Sequence, residues 1–303
     1  STELLTPQQR TQGFVLGSYD LASNVSLYAD MYFTKTRAAF HQAPNTFHTP
    51  SVVISKDNYW NPFGVDFGPG GNAFASRTVP LGNRMTDNAD EVAQFRTGLK
   101  GSLSLGLQDW QWDVGLDYGH LHESSLDSGS AAEGRLYMGP SFLDPATGTV
   151  TCGKPGAPIA NCDASFNPFN MQLPASVAAL QAANVHIPFS SRTRQKILYA
   201  QANGGLFDLP AGTVQLAVGL NYLKLNYRDQ ESPLVIADPA TGKCEIGRGC
   251  TSSLSGGYNV KAAYYELFVP ILNDLPGVQS LNATIGDRYS KYNTFGSTSD
   301  YEF

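Results

Sequence analysis

The sequence predicts an all-β chain: an antiparallel, up-and-down transmembrane β-barrel segment of about eight strands, with long loops gathered at one end. Three observations lead there. Long segments alternate apolar and polar residues, the connections between them alternate short and long, and the composition suits strands and turns. Of 303 residues, 15% are charged, while 30 are Gly, 15 Tyr and 16 Phe. Such a mixture favours pleated strands, tight turns and interfacial rings over helices.

The alternation is plain in "WQWDVGLDYGH", Trp110–His120. Trp110, Trp112, Val114, Leu116 and Tyr118 fall on one face, and Gln111, Asp113, Gly115, Asp117 and Gly119 on the other, because side chains alternate across a strand. Val25, Leu27, Ala29, Met31 and Phe33 separate in the same way from Ser26, Tyr28, Asp30, Tyr32 and Thr34. Eight such segments are expected at about Arg10–Tyr19, Asn24–Phe40, Glu91–Leu105, Trp110–Ser124, Thr193–Phe207, Thr213–Asp229, Asn259–Val269 and Val278–Asn293. A membrane-crossing strand needs about 9–11 residues, whereas soluble strands average about 5–6.

Between these segments, "DLAS", "GLQD", "DLPAG" and "LNDLPG" supply the Asp, Pro and Gly of tight reversals. Three long excursions, roughly His41–Asp90, Ser125–Arg192 and Gln230–Tyr258, fall on the alternate connections. In a meander, alternate connections emerge at one end of the sheet. This is the asymmetry of outer-membrane barrels, with short periplasmic turns and long extracellular loops. The apolar face carrying Trp110 and Trp112 is then expected to meet lipid, with both rings in an aromatic girdle near the short-turn end. The alternative is a soluble sandwich that buries them against a second sheet.

The four cysteines form two close pairs, Cys152 with Cys162 and Cys244 with Cys250. Local disulfides and an oxidising compartment suit that spacing. The alternative, one metal site shared by all four, lacks CxxC spacing and a nearby His. Both pairs lie in long excursions, each following a "DPATG" turn, at Asp144–Gly148 and Asp238–Gly242. "NPF" also recurs in the long loops, at Asn61–Phe63 and Asn167–Phe169, and a helix is expected over Pro174–Val185.

The formal net charge of −6 and the lack of a basic stripe argue against a nucleic-acid partner. No nucleophile motif, phosphate-cradling Gly loop or His-Glu metal helix appears, so an enzyme is not expected, nor is a cofactor or metal. His120 and His122 share a face without a third ligand in view. The polar face carries Tyr28, Asp30, Tyr32, Arg96, Lys100, Gln215, Asn221, Glu266 and Arg288, which we expect to line the lumen. A turn centred near Gly277 would set Glu266 opposite Arg288, as an ion pair that holds register or as a contact to a ligand or plug. That parity points Asp287 outward.

The segment "AYYELFVPILNDLPGVQSLNATIGDRYSKYNTFGST", Ala263–Thr298, resembles the TonB-dependent receptors of Gram-negative outer membranes. The pattern is a Glu after an aromatic pair, a hydrophobic run to Pro270, a Leu-Pro-Gly turn, then Arg288–Tyr289–Ser290 and a Tyr292–Gly296 step. The hairpin Ile197–Gln230 and the phrases "LDPATGTVTC" and "NPFN" are similar to that family as well. The resemblance implies a 22-stranded barrel enclosing a plug. The chain would then be an internal barrel segment, with its plug and remaining strands outside this sequence and "DYEF" beginning a further strand. The implied activity is TonB-energised uptake of a scarce nutrient, such as siderophore-bound iron, cobalamin or an oligosaccharide, in the outer membrane. A complete eight-stranded barrel acting as an adhesin or structural protein, and a secreted carbohydrate-binding β protein, are the alternatives.

Overall fold

The computed structural model describes residues 5–48, 52–106, 108–246 and 250–303. Nine strands pair in chain order in one antiparallel sheet. They are β1 (Gln8–Ala22), β2 (Val25–Gln42), β3 (Arg84–Leu105), β4 (Gln108–Ala131), β5 (Asn184–Leu209), β6 (Gly212–Gln230), β7 (Ser255–Leu275), β8 (Val278–Tyr292) and β9 (Gly296–Glu302). Strands β1 and β9 form the two edges, so the sheet is an open meander rather than a closed eight-stranded barrel.

Two-residue turns close three hairpins, at Ser23–Asn24, Pro210–Ala211 and Pro276–Gly277, and in a fourth Leu105 pairs with Gln108. Gly106 and Gly277 sit there with φ of 66° and 86°, in the left-handed region where a Cβ is costly. About eight strands are expected from the sequence and nine form the sheet; the ninth takes in Asp300–Glu302, where the sequence places the start of a further strand. The chain reverses after Tyr292 through Asn293–Phe295, and Gly296 pairs with Tyr292 at φ 108°. This connection lies at the long-loop end but is short, so the alternation of short and long connections stops there.

The strands also run further toward the loops than alternation reveals. Strand β4 continues past Ser124 to Ala131, and β5 starts at Asn184 instead of Thr193, with Phe189 opposite Ser125 and Asn184 opposite Ala131. Over Ser124–Ser130 Leu126 is the one apolar side chain, so no period of two shows in the sequence although the backbone ladder continues.

The hydrophobic core lies in the loops, not on the sheet. Loop 43–83 and loop 132–183 bury Phe47, Ile54, Phe166 and Leu180 in one cluster. Ile246 of loop 231–254 packs with Ala132 and Val185 in a second. The loops carry short strands of their own, Thr46–His48 with Ala75–Arg77, and Ser141–Leu143 with Val150–Lys154. Helix α1 (Pro174–Ala182) starts on Pro at its first turn and presses Leu180 into the larger cluster. It stops short of the expected Val185, because Asn184 and Val185 pair with β4. Among the described residues no helix is long and apolar enough to cross a membrane, which says nothing of strands.

Candidate functional site

The register separates the sheet into a polar and an apolar face. Tyr28, Asp30, Tyr32, Arg96, Lys100, Gln215, Asn221, Glu266 and Arg288 all fall on the polar one. The first group of contacts centres on Tyr28, which is 4% exposed. Its hydroxyl donates to Asp113 Oδ1 at 2.8 Å and meets the Tyr199 hydroxyl, while Arg96 lies over its ring at 5.0 Å and Lys100 at 5.8 Å. Arg96 Nε also approaches Asp30 Oδ2 at 3.7 Å. Glycines make this packing possible: a Cβ at Gly115 would stand 2.6 Å from both tyrosine hydroxyls, and one at Gly98 would stand 2.5 Å from that of Tyr28.

A second group lies on β6–β8. Arg288 donates to Asn221 Oδ1 at 3.4 Å and lies 5.7 Å from the Tyr264 ring centre, and Tyr264 donates to Gln201. Arg288 therefore does not stand opposite Glu266, which pairs with Gly286. The turn is centred between Pro276 and Gly277, and a bulge between Pro270 and Leu272 slides β7 a further residue against β8. Asp287 does lie on the apolar face, where it accepts from Ser299 Oγ at 2.8 Å.

At the loop end, Arg84, Thr86, Ser125 and Asp127 edge a cavity of about 270 Å3. Above it the loops interlock. The two NPF turns are built alike, with Asn61 Oδ1 accepting from Phe63 N and Asn167 Oδ1 from Phe169 N. Their rings meet edge-on, Phe63 to Phe169 at 5.5 Å between centroids, and Phe67 and Phe74 complete the cluster. Trp60 Nε1 donates across the loops to the Ala164 carbonyl. Disulfides join Cys152 to Cys162 and Cys244 to Cys250. Both DPATG copies form the same turn, in which the Asp carboxylate accepts from the backbone N–H two residues on and the Asp carbonyl from the Gly N–H. In the second copy, the Ala240 and Thr241 N–H groups hold the Asp238 carboxyl below its usual range. Arg135 pairs with Glu245, tying the second loop to the third. Neither this interlocking nor the role of the glycines is visible in the sequence; the recurrence of NPF is the one hint.

The apolar face carries Trp110 and Trp112 near the turn end, each ring lying against a glycine of an adjacent strand, Gly204 of β5 and Gly101 of β3. No second sheet covers this face among the described residues. Val15, Met31, Val114, Leu198, Leu220 and Ile285 on it are 45–67% exposed. At roughly 25 cal/mol per Å2, leaving six such side chains half in water forfeits about 5–10 kcal/mol, comparable with the whole stability of a domain.

The loop-side limit of this apolar band is staggered. It is marked by Lys35 on β2, Glu91 on β3, His120 on β4, Lys196 on β5, Lys224 on β6, Lys261 on β7 and, beyond the isolated Asp287, Lys291 on β8. Lys35 pairs with Glu91. Lys261 and Lys291 instead lie in the row that passes through Tyr222, Leu198, Leu116 and Thr97 to Ala29, six residues closer to the turns than Lys35 (35 − 29). Six residues over five strand spacings correspond to strands inclined at about 40° to a level boundary. Asp287 is the exception to this line.

His120 and His122 lie on the apolar-face rows at this limit, and His122 Nδ1 is 3.2 Å from the Ser191 carbonyl. Among the described residues, no three His, Cys, Asp or Glu side chains are grouped to hold a metal.

No family model and no curated protein matches the chain. Among solved structures it is similar to the siderophore receptor PiuA of Acinetobacter baumannii, at 11% identity and a TM-score of 0.38, covering 95% of this chain and 38% of that one. It is similar also to the ferric-catecholate import receptor Fiu of E. coli K12, at 10% identity and TM-score 0.40, covering 97% and 42%. A third is BauA, the ferric preacinetobactin receptor of Acinetobacter baumannii, at 12% and 0.36, covering 95% and 43%. The chain thus spans about two fifths of the length of these receptors.

Proposed function

We propose that the chain forms part of the barrel wall and the extracellular loops of an outer-membrane transport receptor of the TonB-dependent kind. The observation that carries this reading is the staggered apolar band. On β2 it runs from Val25 to Phe33 and on β6 from Val214 to Tyr222, about nine residues each, which is the span of a membrane-crossing strand. The inclination of about 40° is the tilt such barrels adopt. The apolar face meets lipid and the nine polar-face residues named above line the lumen.

The edges β1 and β9 require further strands, since backbone groups in lipid must be paired. A larger barrel with a plug inside would supply these strands. Its polar lumen and folded loops would take a scarce nutrient, with siderophore-bound iron, cobalamin and oligosaccharide as the classes to test, and TonB would supply the energy.

The test uses the native protein in its source cells. Fractionation should find it in the outer membrane, and uptake of its nutrient should stop when a protonophore removes the inner-membrane gradient. Recovery in the soluble fraction would overturn the membrane reading, and gradient-independent uptake would overturn the energised one.

A further inference from the structure

We propose that Lys196, Lys224, Lys261 and Lys291 form a binding site for the phosphate groups of lipid headgroups, set at the loop-side limit of the apolar face. The proposal rests on the reading of that face as lipid-covered, and goes beyond it by assigning a ligand class to named residues.

The register supplies the argument. The four lysines stand on four consecutive strands and one face. Lys196 is directly opposite Lys224, and Lys261 directly opposite Lys291. Like charges in directly opposed positions destabilise a sheet, and two such pairs side by side compound the cost. Among the described residues, none of the four makes an ion pair with a carboxylate that would offset it. Lys196 instead lies 5.8 Å from the centre of the Tyr118 ring. The nearest acid of the same face on these strands, Asp287, is four residues from Lys291 toward the turn and is engaged by Ser299.

The same limit is built differently on β2 and β3, where Lys35 is opposite Glu91 and the pair is neutral. Only the β5–β8 side gathers cations, and it does so in a chain of net charge −6. Farther toward the loops the pattern repeats, with Arg192 directly opposite Arg228 and Arg194 between Arg192 and Lys196. An anion placed between the opposed ammonium groups would turn repulsion into attraction. A lipid phosphate is the occupant that fits, because the lysines follow the edge of the apolar band, where headgroups of the surrounding leaflet lie. Basic side chains at that depth attract anionic headgroups.

The test reconstitutes the full-length protein into nanodiscs of phosphatidylcholine, alone or with phosphatidic acid, and measures retained lipid by native mass spectrometry. Phosphatidic acid should be retained over phosphatidylcholine. The double variants K196Q/K224Q and K261Q/K291Q should each lower its retention about tenfold, while K243Q in the third loop leaves it unchanged. Phosphatidic acid should also raise the melting temperature of the wild type and not of the double variants. Lys→Arg variants, which keep the charge, should behave as wild type. Equal retention by wild type and double variants would overturn the proposal, as would displacement of the lipid by inorganic phosphate, which would assign the lysines to a soluble anion. A protein that associates with neither nanodisc would remove the membrane reading itself.

Discussion

Phe63 and Phe169 meet edge-on with ring centroids 5.5 Å apart, although more than a hundred residues separate them in the chain. Each is the last residue of an Asn-Pro-Phe turn, so a motif repeated in the sequence is repeated in space in order to pack against itself. The contact makes the first two long loops one body with its own core, and the Arg135–Glu245 pair and Ile246 attach the third. The loops therefore stand above the sheet as a folded cap, anchored to the strand ends through Ala131 and Val185.

Phe169→Ala should loosen both loops together. Removing a partly buried ring costs about 2–4 kcal/mol, all of it in the cap. Hydrogen exchange should quicken across 52–74 and 136–171 and stay unchanged in β2–β6. Quickening confined to the second loop would mean that the two are not coupled.

The glycine–tyrosine packing gives a second prediction. Gly115→Ala places a methyl group against both tyrosine hydroxyls and should destabilise the barrel by about 1–3 kcal/mol, read as a lower denaturant midpoint. At Gly13, where a Cβ would meet nothing within 4 Å, the same change should be close to neutral. Tyr28→Ala should relieve much of the Gly115→Ala defect, since it removes one of the two groups in the way.

Reduction of the disulfides should act on the cap alone. Each closes a short loop, with sequence separations of 10 and 6, and constrains the unfolded chain by about 2–3 kcal/mol. Non-reducing peptide mapping should recover Cys152–Cys162 and Cys244–Cys250. Reduced protein should keep its far-ultraviolet β signal while the loops become sensitive to protease; loss of the β signal would show that the cap holds the sheet.

The turn at Asp238 should respond to acid. Its carboxyl is held below the usual range by the Ala240 and Thr241 N–H groups, so the folded-state pKa is depressed. The stabilisation is fully present above the ordinary carboxylate pKa of about 4 and is lost as pH falls through the lower folded value. Amide exchange at Thr241, followed from pH 6 downward, should lose protection only in that acid range and more than the intrinsic pH dependence requires. Asp238→Asn should remove the acid-sensitive step.

Much of this molecule was legible in the sequence. Period two separates the faces wherever one face is apolar, so Trp110–Tyr118 and Val214–Tyr222 are found on the face the alternation predicts. The cysteine pairs are short-range and follow from spacing. Alternation fails where apolar residues run out, as at Ser124–Ser130 with Leu126 alone, and the ladder there continues unseen. Register is harder still: a bulge at Ile271 and the turn centre move Arg288 from Glu266 to Tyr264, and no residue pattern announces that shift. The meeting of Phe63 with Phe169 is a tertiary contact between two loops, each of which reads as irregular when taken alone.

Charge on the two faces should have unequal effects. Leu116→Arg or Val218→Arg, both within the apolar band, should cost about 2–4 kcal/mol and impair insertion, while Gln215→Arg on the polar face should be mild. Folding yield into detergent or bilayer measures this directly.

The central claim, that the staggered apolar face meets lipid, is tested most directly by a spin-label scan of the full-length protein in bilayers. Single labels from Thr213 to Lys224 and from Val25 to Lys35 would be read by collision with oxygen, which concentrates in lipid, and with a water-soluble nickel complex. The account predicts oxygen contact at Val214, Leu216, Val218, Leu220 and Tyr222, nickel contact at Gln215, Ala217, Gly219 and Asn221, and a change to nickel at Lys224. On β2 the change should come at Lys35, four residues farther toward the loops than the row of Lys224, which passes through Met31. Uniform nickel contact at both kinds of position, or boundaries lying in one row across the sheet, would contradict it.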